Sequence, residues 1–127
     1  MEPVNLFDLA AQQSRWLAVR QATVAGNVAN ANTAGYRAKD VEPFATVLQK
    51  AGMSLAATHA NHLRATSDSD SGFAVRASET DTAGMPSQND VVLEDEMLKA
   101  GEIRRSFELN TAIVKAFHRM TMLTLKA

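Results

Sequence analysis

Few residues in this chain stand where they could do chemistry. His59 and His62 are three apart, a spacing at which two imidazoles could share a metal ion. No third ligand accompanies them, and a solvated loop is the simpler expectation. Glu94, Asp95 and Glu96 crowd three carboxylates together, but at the start of a helix the macrodipole accounts for such a cluster. His118 falls at the rim of an apolar arc, where packing explains it. Met97, Met120 and Met122 read as adaptable packing atoms. There is no glycine-rich phosphate loop, no G-x-S-x-G elbow and no basic surface interleaved with aromatics for nucleic acid. The reading is therefore of a non-enzyme, with no catalytic residue, no cofactor, no metal and no small-molecule substrate.

The chemistry that remains is hydrogen bonding by amides. Ala25 to Arg37 reads Ala-Gly-Asn-Val-Ala-Asn-Ala-Asn-Thr-Ala-Gly-Tyr-Arg and closes a long apolar helix. Asn27 and Asn30 are three apart and share one side of its last turns. Asparagine is a poor helix former, so two of them before the stop are expected to bridge to another backbone. Asn32, Thr33 and Gly35 leave helical geometry readily, and the turn at Ala34-Gly35 ends the helix. An ordinary helix stop is the bland alternative.

The helix that carries these amides runs from about Asn5 to Ala31, roughly 26 residues and about 40 Å. At 100° per residue, Leu6, Ala10, Leu17, Val24 and Val28 form one narrow stripe. Ala11, Ala18, Ala22, Ala25 and Ala29 form a second, and Gln13, Arg20 and Asn27 recur on the far flank beside Trp16. Two apolar stripes need two partners, more than one hairpin mate can supply.

The last third is the strongest helix. Asn89 and Asp90 offer capping oxygens, and Lys115, Arg119 and Lys126 lie toward its end, where the dipole favours them. Ile103, Phe107, Asn110, Val114 and Phe117 follow a 4-3-4-3 coiled-coil spacing. Leu109, Ile113 and Met120 widen that seam to an arc of about 160°. Arg104, Arg105, Glu108 and Arg119 take the opposite side, and Gly101 is a soft spot of about 1 kcal/mol relative to alanine.

Between the two helices, Val41 to Ala51 suggests a short helix, and Phe73-Ala-Val-Arg is the one weak strand candidate. The polar runs around residues 66–72 and 80–84 read as a mobile or partner-ordered loop. Between Leu9 and Lys39 there are bases and no acids; from Ala77 to Leu98 there are acids and no bases. An antiparallel hairpin would bring Arg37 and Lys39 near Asp90 to Glu96.

Of the 127 residues, 46% are hydrophobic but only 6% aromatic, and much of the apolar content is alanine. A compact core built from these residues would be weak. The net charge of −1 gives no pull toward nucleic acid or an anionic membrane, and the absence of cysteine excludes disulfides. The N-terminus lacks the basic-then-apolar pattern of a secretory signal peptide. The fold class expected is all-α: two long N- and C-terminal helices paired as an antiparallel coiled-coil hairpin, joined by a largely irregular middle segment with one short helix. Residues 1–36 would be the first helix and its turn, 37–89 the irregular middle and 90–127 the last helix.

Arg20-Gln21 followed by Ala25 to Arg37 resembles the N-terminal signature of bacterial flagellar rod and hook proteins, approximately A-N-N-I-A-N-x-x-T-P-G-Y-[KR]. The short length, Phe44 after the motif, and Asn89-Asp-Val-Val-Leu-Glu-Asp-Glu-Met before the last helix are similar to the proximal-rod members of that family. Ala34 stands where the family has proline, Gly26 where a second asparagine is common, and Val92 where aspartate is frequent. The cap of the last helix would then come from Asp90 or Asn89.

The resemblance implies a structural subunit of the proximal rod, assembling helically through its terminal helices into a torque-transmitting drive shaft. Its partners would be copies of itself, other rod subunits, rod-to-ring adaptor and membrane-ring proteins at the rod base, and the flagellar export apparatus. It would reach the periplasmic rod without a cleaved signal peptide. Assembly is expected to rest on Leu17, Val24, Val28, Asn27, Asn30, Asn32, Gly35 and Tyr36 at one end of the chain. At the other it is expected to rest on Ile103, Phe107, Asn110, Ile113, Val114, Phe117 and Met120. Another rod subunit, or a secreted helical-hairpin adaptor or export-chaperone-like module, remains the alternative. A chain whose apolar stripes lack partners should be unstable alone and order on assembly.

Overall fold

A computed structural model describes residues 5–51, 72–78 and 87–126. Helix α1 spans Leu6–Ala29, strand β1 Lys39–Val41, helix α2 Phe44–Ala51, strand β2 Val75–Ala77 and helix α3 Leu93–Lys126. Asn5 caps α1 by accepting the Phe7 N–H at 3.1 Å, and Asp8 sits in the first turn, where the dipole favours it.

The two long helices pair antiparallel, as the periodicity implies. Phe7 meets Phe117 edge-on at 5.3 Å, Asn110 reaches Ser14, Arg20 lies 3.8 Å from Glu102, and Asn27 bonds Glu96. These contacts climb one helix while descending the other. On α3 the buried residues Glu96, Ile103 and Asn110 recur every seven positions, the spacing of a coiled-coil seam.

The core is small. Trp16, Leu17, Val24, Val41 and Ile103 are buried together, with Val19, Phe44, Val47 and Phe73 packed against them. Leu17 and Ile103 are almost wholly covered, and each contributes about 1.5–3 kcal/mol by leaving water.

Much of the middle segment within the described residues is ordered against α1. Val41 belongs to β1 rather than to the short helix expected there, because Pro43 interrupts the run; α2 opens after it, with Thr46 and Val47 donating to the Pro43 carbonyl. The weak strand candidate is a strand, shifted to Val75–Ala77, and pairs antiparallel with Lys39–Val41. The polar run of 66–72 up to residue 71, the run of 80–84 and the His59–His62 pair lie outside the described residues.

Candidate functional site

The end of α1 is organised around one amide. Asn27, fully buried, donates through Nδ2 to the Lys39 carbonyl at 2.7 Å, while its Oδ1 accepts the Lys39 N–H at 3.0 Å. A side chain thus takes the place of a neighbouring strand on the outer edge of β1. The second Nδ2 proton goes to Glu96 Oε2 at 3.0 Å, and the Tyr36 hydroxyl approaches Oδ1 at 3.4 Å. Both amide donors and both oxygen lone pairs are therefore engaged. The expected bridge from Asn27 to another backbone is present.

Glu96 is more than a carboxylate complementing the helix start. It is 1% exposed, and its other oxygen takes the Lys99 ammonium at 2.8 Å. A buried carboxylate is tolerable only when its oxygens are paired, and here one amide and one ammonium do this.

Asn30 and Asn89 exchange the roles read for them. Asn30 Nδ2 stays within its own helix, donating to the Gly26 carbonyl at 2.8 Å, and its oxygen accepts from the Thr33 hydroxyl. Asn89 instead crosses to the turn after α1: its Nδ2 lies 2.7–2.9 Å from the carbonyls of Asn30, Ala31 and Thr33, of which those of Asn30 and Thr33 also accept the Thr33 and Tyr36 N–H groups. Its own oxygen accepts the Val91 N–H, and the Asp90 carboxylate takes the Ala38 N–H. Neither cap of α3 expected from these two residues is formed, since both oxygens tie the turn instead. The helix stops earlier than the Ala34-Gly35 turn, at Ala29 with Asn30 as its C-cap; Gly35, at φ +72°, takes a left-handed conformation in the turn that follows and donates to the Ser87 carbonyl at 2.9 Å. Asn32 is exposed; Tyr36 is half-buried.

The charge asymmetry predicts the register correctly, but the pairs differ from those expected. Arg20 binds Asp40 at 3.2 Å and stacks over Trp16 at 5.5 Å, and Trp16 Nε1 donates to the Glu42 carbonyl at 2.8 Å. Lys50 holds the Glu42 carboxylate at 2.5 Å, which keeps that carboxyl below its ordinary range. The flank read as Gln13, Arg20 and Asn27 beside Trp16 is thus where residues 36–44 are strapped to α1.

The expected assembly residues divide by burial. Leu17, Val24, Ile103 and Asn110 are buried within the hairpin itself; Val114 and Phe117 are half-buried. Val28, Phe107, Ile113 and Met120 are exposed, with Leu109 and Leu123 beside them. The alanine stripe of α1 is exposed at all five positions. Asn110 carries a second polar tie, donating to the Ala10 carbonyl at 3.0 Å and the Ser14 hydroxyl at 2.8 Å. One polar residue in a seam fixes register at the expense of stability.

Glu96, Asn89, Ser14 and Trp16 belong to the site but are not among the residues that the sequence singles out for assembly. For Glu96 a signal existed, since it stands one heptad before Ile103 and two before Asn110. Among the described residues no group of three or more metal-ligating side chains occurs, and no helix is long and apolar enough to cross a membrane.

No family model matches the chain. It is similar to the flagellar basal body rod protein FlgB of Agrobacterium fabrum (strain C58 / ATCC 33970), with 45% identity over 130 residues, covering 99% of this chain and 96% of that protein.

Proposed function

The chain belongs to the family of flagellar basal body rod proteins to which FlgB belongs, and from that premise we propose how it builds the rod. As in that family, its role is structural, in the rod of the basal body. In the proposed assembly the subunit sits in the proximal rod as an antiparallel hairpin. The asparagine tie at Asn27 and the seam at Ile103 and Asn110 hold the two helices in register. The residues left outside that pairing, Val28, Phe107, Ile113 and Met120, meet neighbouring subunits.

The observation that carries this reading is the apolar surface that remains after the hairpin has closed. Ile113 is 44% and Met120 56% exposed, and Leu109 and Leu123 beside them more so. An apolar strip of this kind marks an interaction surface. Contacts between unlike faces of identical subunits do not close on themselves, and so extend into a helical filament. Copies of the chain and other rod subunits are its lateral partners in this reading. Adaptor and membrane-ring proteins flank the rod base, and the flagellar export apparatus delivers the chain without cleaving a signal peptide.

Deleting the gene from a flagellated host and imaging basal bodies by electron microscopy tests the role. Rods should be absent, return with the wild-type gene and fail to return with Ile113→Asp. Normal rods in the deletion strain would refute it.

A further inference from the structure

The two ends of the hairpin are unlike. At one, α1 stops at Ala29 beside the first turns of α3, and the turn stitched by Asn89 and Gly35 closes it. At the other, Phe7 in the first turn of α1 meets Phe117, and α3 then continues to Lys126, about 13 Å further. Every residue from 118 to 126 is exposed.

This extension carries apolar side chains around most of its circumference, and its two charges, Arg119 and Lys126, lie together on one side, between Met122 and Leu123. Taking Met120 as the origin, Leu125, Met122 and Leu123 point about 140°, 200° and 300° around the axis. The widest gap between them holds Thr121 and Thr124. Their hydroxyls donate back to the carbonyls of Phe117 at 3.0 Å and Thr121 at 2.7 Å, so their polarity is spent inside the helix. Large apolar side chains exposed together in this way mark an interaction surface. Its charges are of one sign: Arg119 and Lys126, with no acidic residue after Glu108.

The opposite end has the matching character. Leu93, Met97 and Leu98 are exposed, and the last two are among the most exposed large apolar residues described. Exposed Glu94 and Asp95 are interleaved with them, and no base lies between Ala77 and Leu98.

We propose that residues 118–126 of one copy dock end to end on the exposed start of α3 in a second copy of this chain. Arg119 and Lys126 face Glu94 and Asp95; Met122, Leu123 and Leu125 cover Leu93, Met97 and Leu98. The contact rests on the reading of the chain as an assembling rod subunit and adds which end meets which. Exposed ion pairs contribute little each, so the apolar residues supply the affinity and the charges select head-to-tail over tail-to-tail pairing.

The chain has no cysteine, so Met97→Cys with Leu125→Cys reports this contact without background. Expressed in a deletion strain, the double variant should give disulfide-linked dimers and higher ladders in isolated basal bodies. Assembled rods that contain only monomer would overturn the proposal. If the cysteines block assembly, purified full-length chains decide. An Arg119→Glu/Lys126→Glu chain mixed with a Glu94→Lys/Asp95→Lys chain should associate about tenfold more tightly than either reversed chain does alone. Equal association in the mixture and the single variants overturns it. Rods in the deletion strain itself would instead refute the rod reading, whichever result the docking tests return.

Discussion

Asn27 and Glu96, sixty-nine positions apart in sequence, are joined by a 3.0 Å hydrogen bond in a buried site. The amide belongs to the end of the first long helix and the carboxylate to the start of the last. Through Asn27 the carboxylate is also coupled to the backbone of Lys39, so one side chain fixes α1, α3 and β1 together. Polar groups buried this deeply contribute little net stability when paired, but losing one partner is costly, which makes them effective at selecting a single arrangement.

Asn27→Leu should therefore be far more damaging than Asn30→Leu. The first leaves the Lys39 N–H and carbonyl and one Glu96 oxygen short of partners, at about 1–3 kcal/mol for each group. The second removes only two local bonds, to the Gly26 carbonyl and from the exposed Thr33 hydroxyl. A motility assay combined with detection of exported protein should show Asn27→Leu exported but not assembled, and Asn30→Leu assembling at a reduced level. Equal effects would contradict the geometry.

Two isoleucines ten residues apart on α3 should fail in different ways. Ile103 is 2% exposed in the hairpin core, so Ile103→Asp should lose the helix pairing, read by circular dichroism of the purified chain. Ile113 is exposed, so Ile113→Asp should keep the helical signal of the wild type and lose only rod formation.

Glu42 gives a pH signature. Its hydrogen bond from Lys50, and then the Lys50 and Arg76 charges, hold its carboxyl below the ordinary value, against the opposing effect of burial. A lowered folded-state value means that the pair stabilises the fold above the ordinary carboxylate range. That contribution is lost as pH falls through the lowered value. In an NMR titration of Glu42, Lys50→Met should move the midpoint upward; an unchanged midpoint would remove Lys50 as the cause.

Gly101 lies inside α3 with open space where a Cβ would be. Gly101→Ala should stabilise the chain by about 1 kcal/mol in thermal unfolding, since alanine lowers the backbone entropy lost on helix formation. If rods assemble less well despite that gain, a neighbouring subunit fills the space.

The amide-rich helix end was legible because asparagines are conspicuous where a helix is otherwise apolar, and Asn27 duly bridges to Lys39. Which asparagine did which task was not. Asn30 reads as a bridge and Asn89 as a cap of the last helix, and only the approach of residues 87–91 to the end of α1 sends the Asn89 amide across the gap instead. In the same way, the acidic helix start was visible, while the burial of Glu96 depended on its lying over Asn27.

Periodicity alone determined that this chain makes two long amphipathic helices, and the segregation of charge set their antiparallel sense, because both signals are local or additive along the chain. The pairing of β1 with β2, the strap of residues 36–44 across Trp16, Arg20 and Asn27, and the Asn110–Ser14 tie were decided by tertiary structure. Each depends on hydrogen-bonding groups distant in sequence that meet only when the helices have closed. Closure also settles which apolar residues are spent inside the hairpin, such as Leu17 and Ile103, and which, such as Ile113 and Met120, remain on its surface.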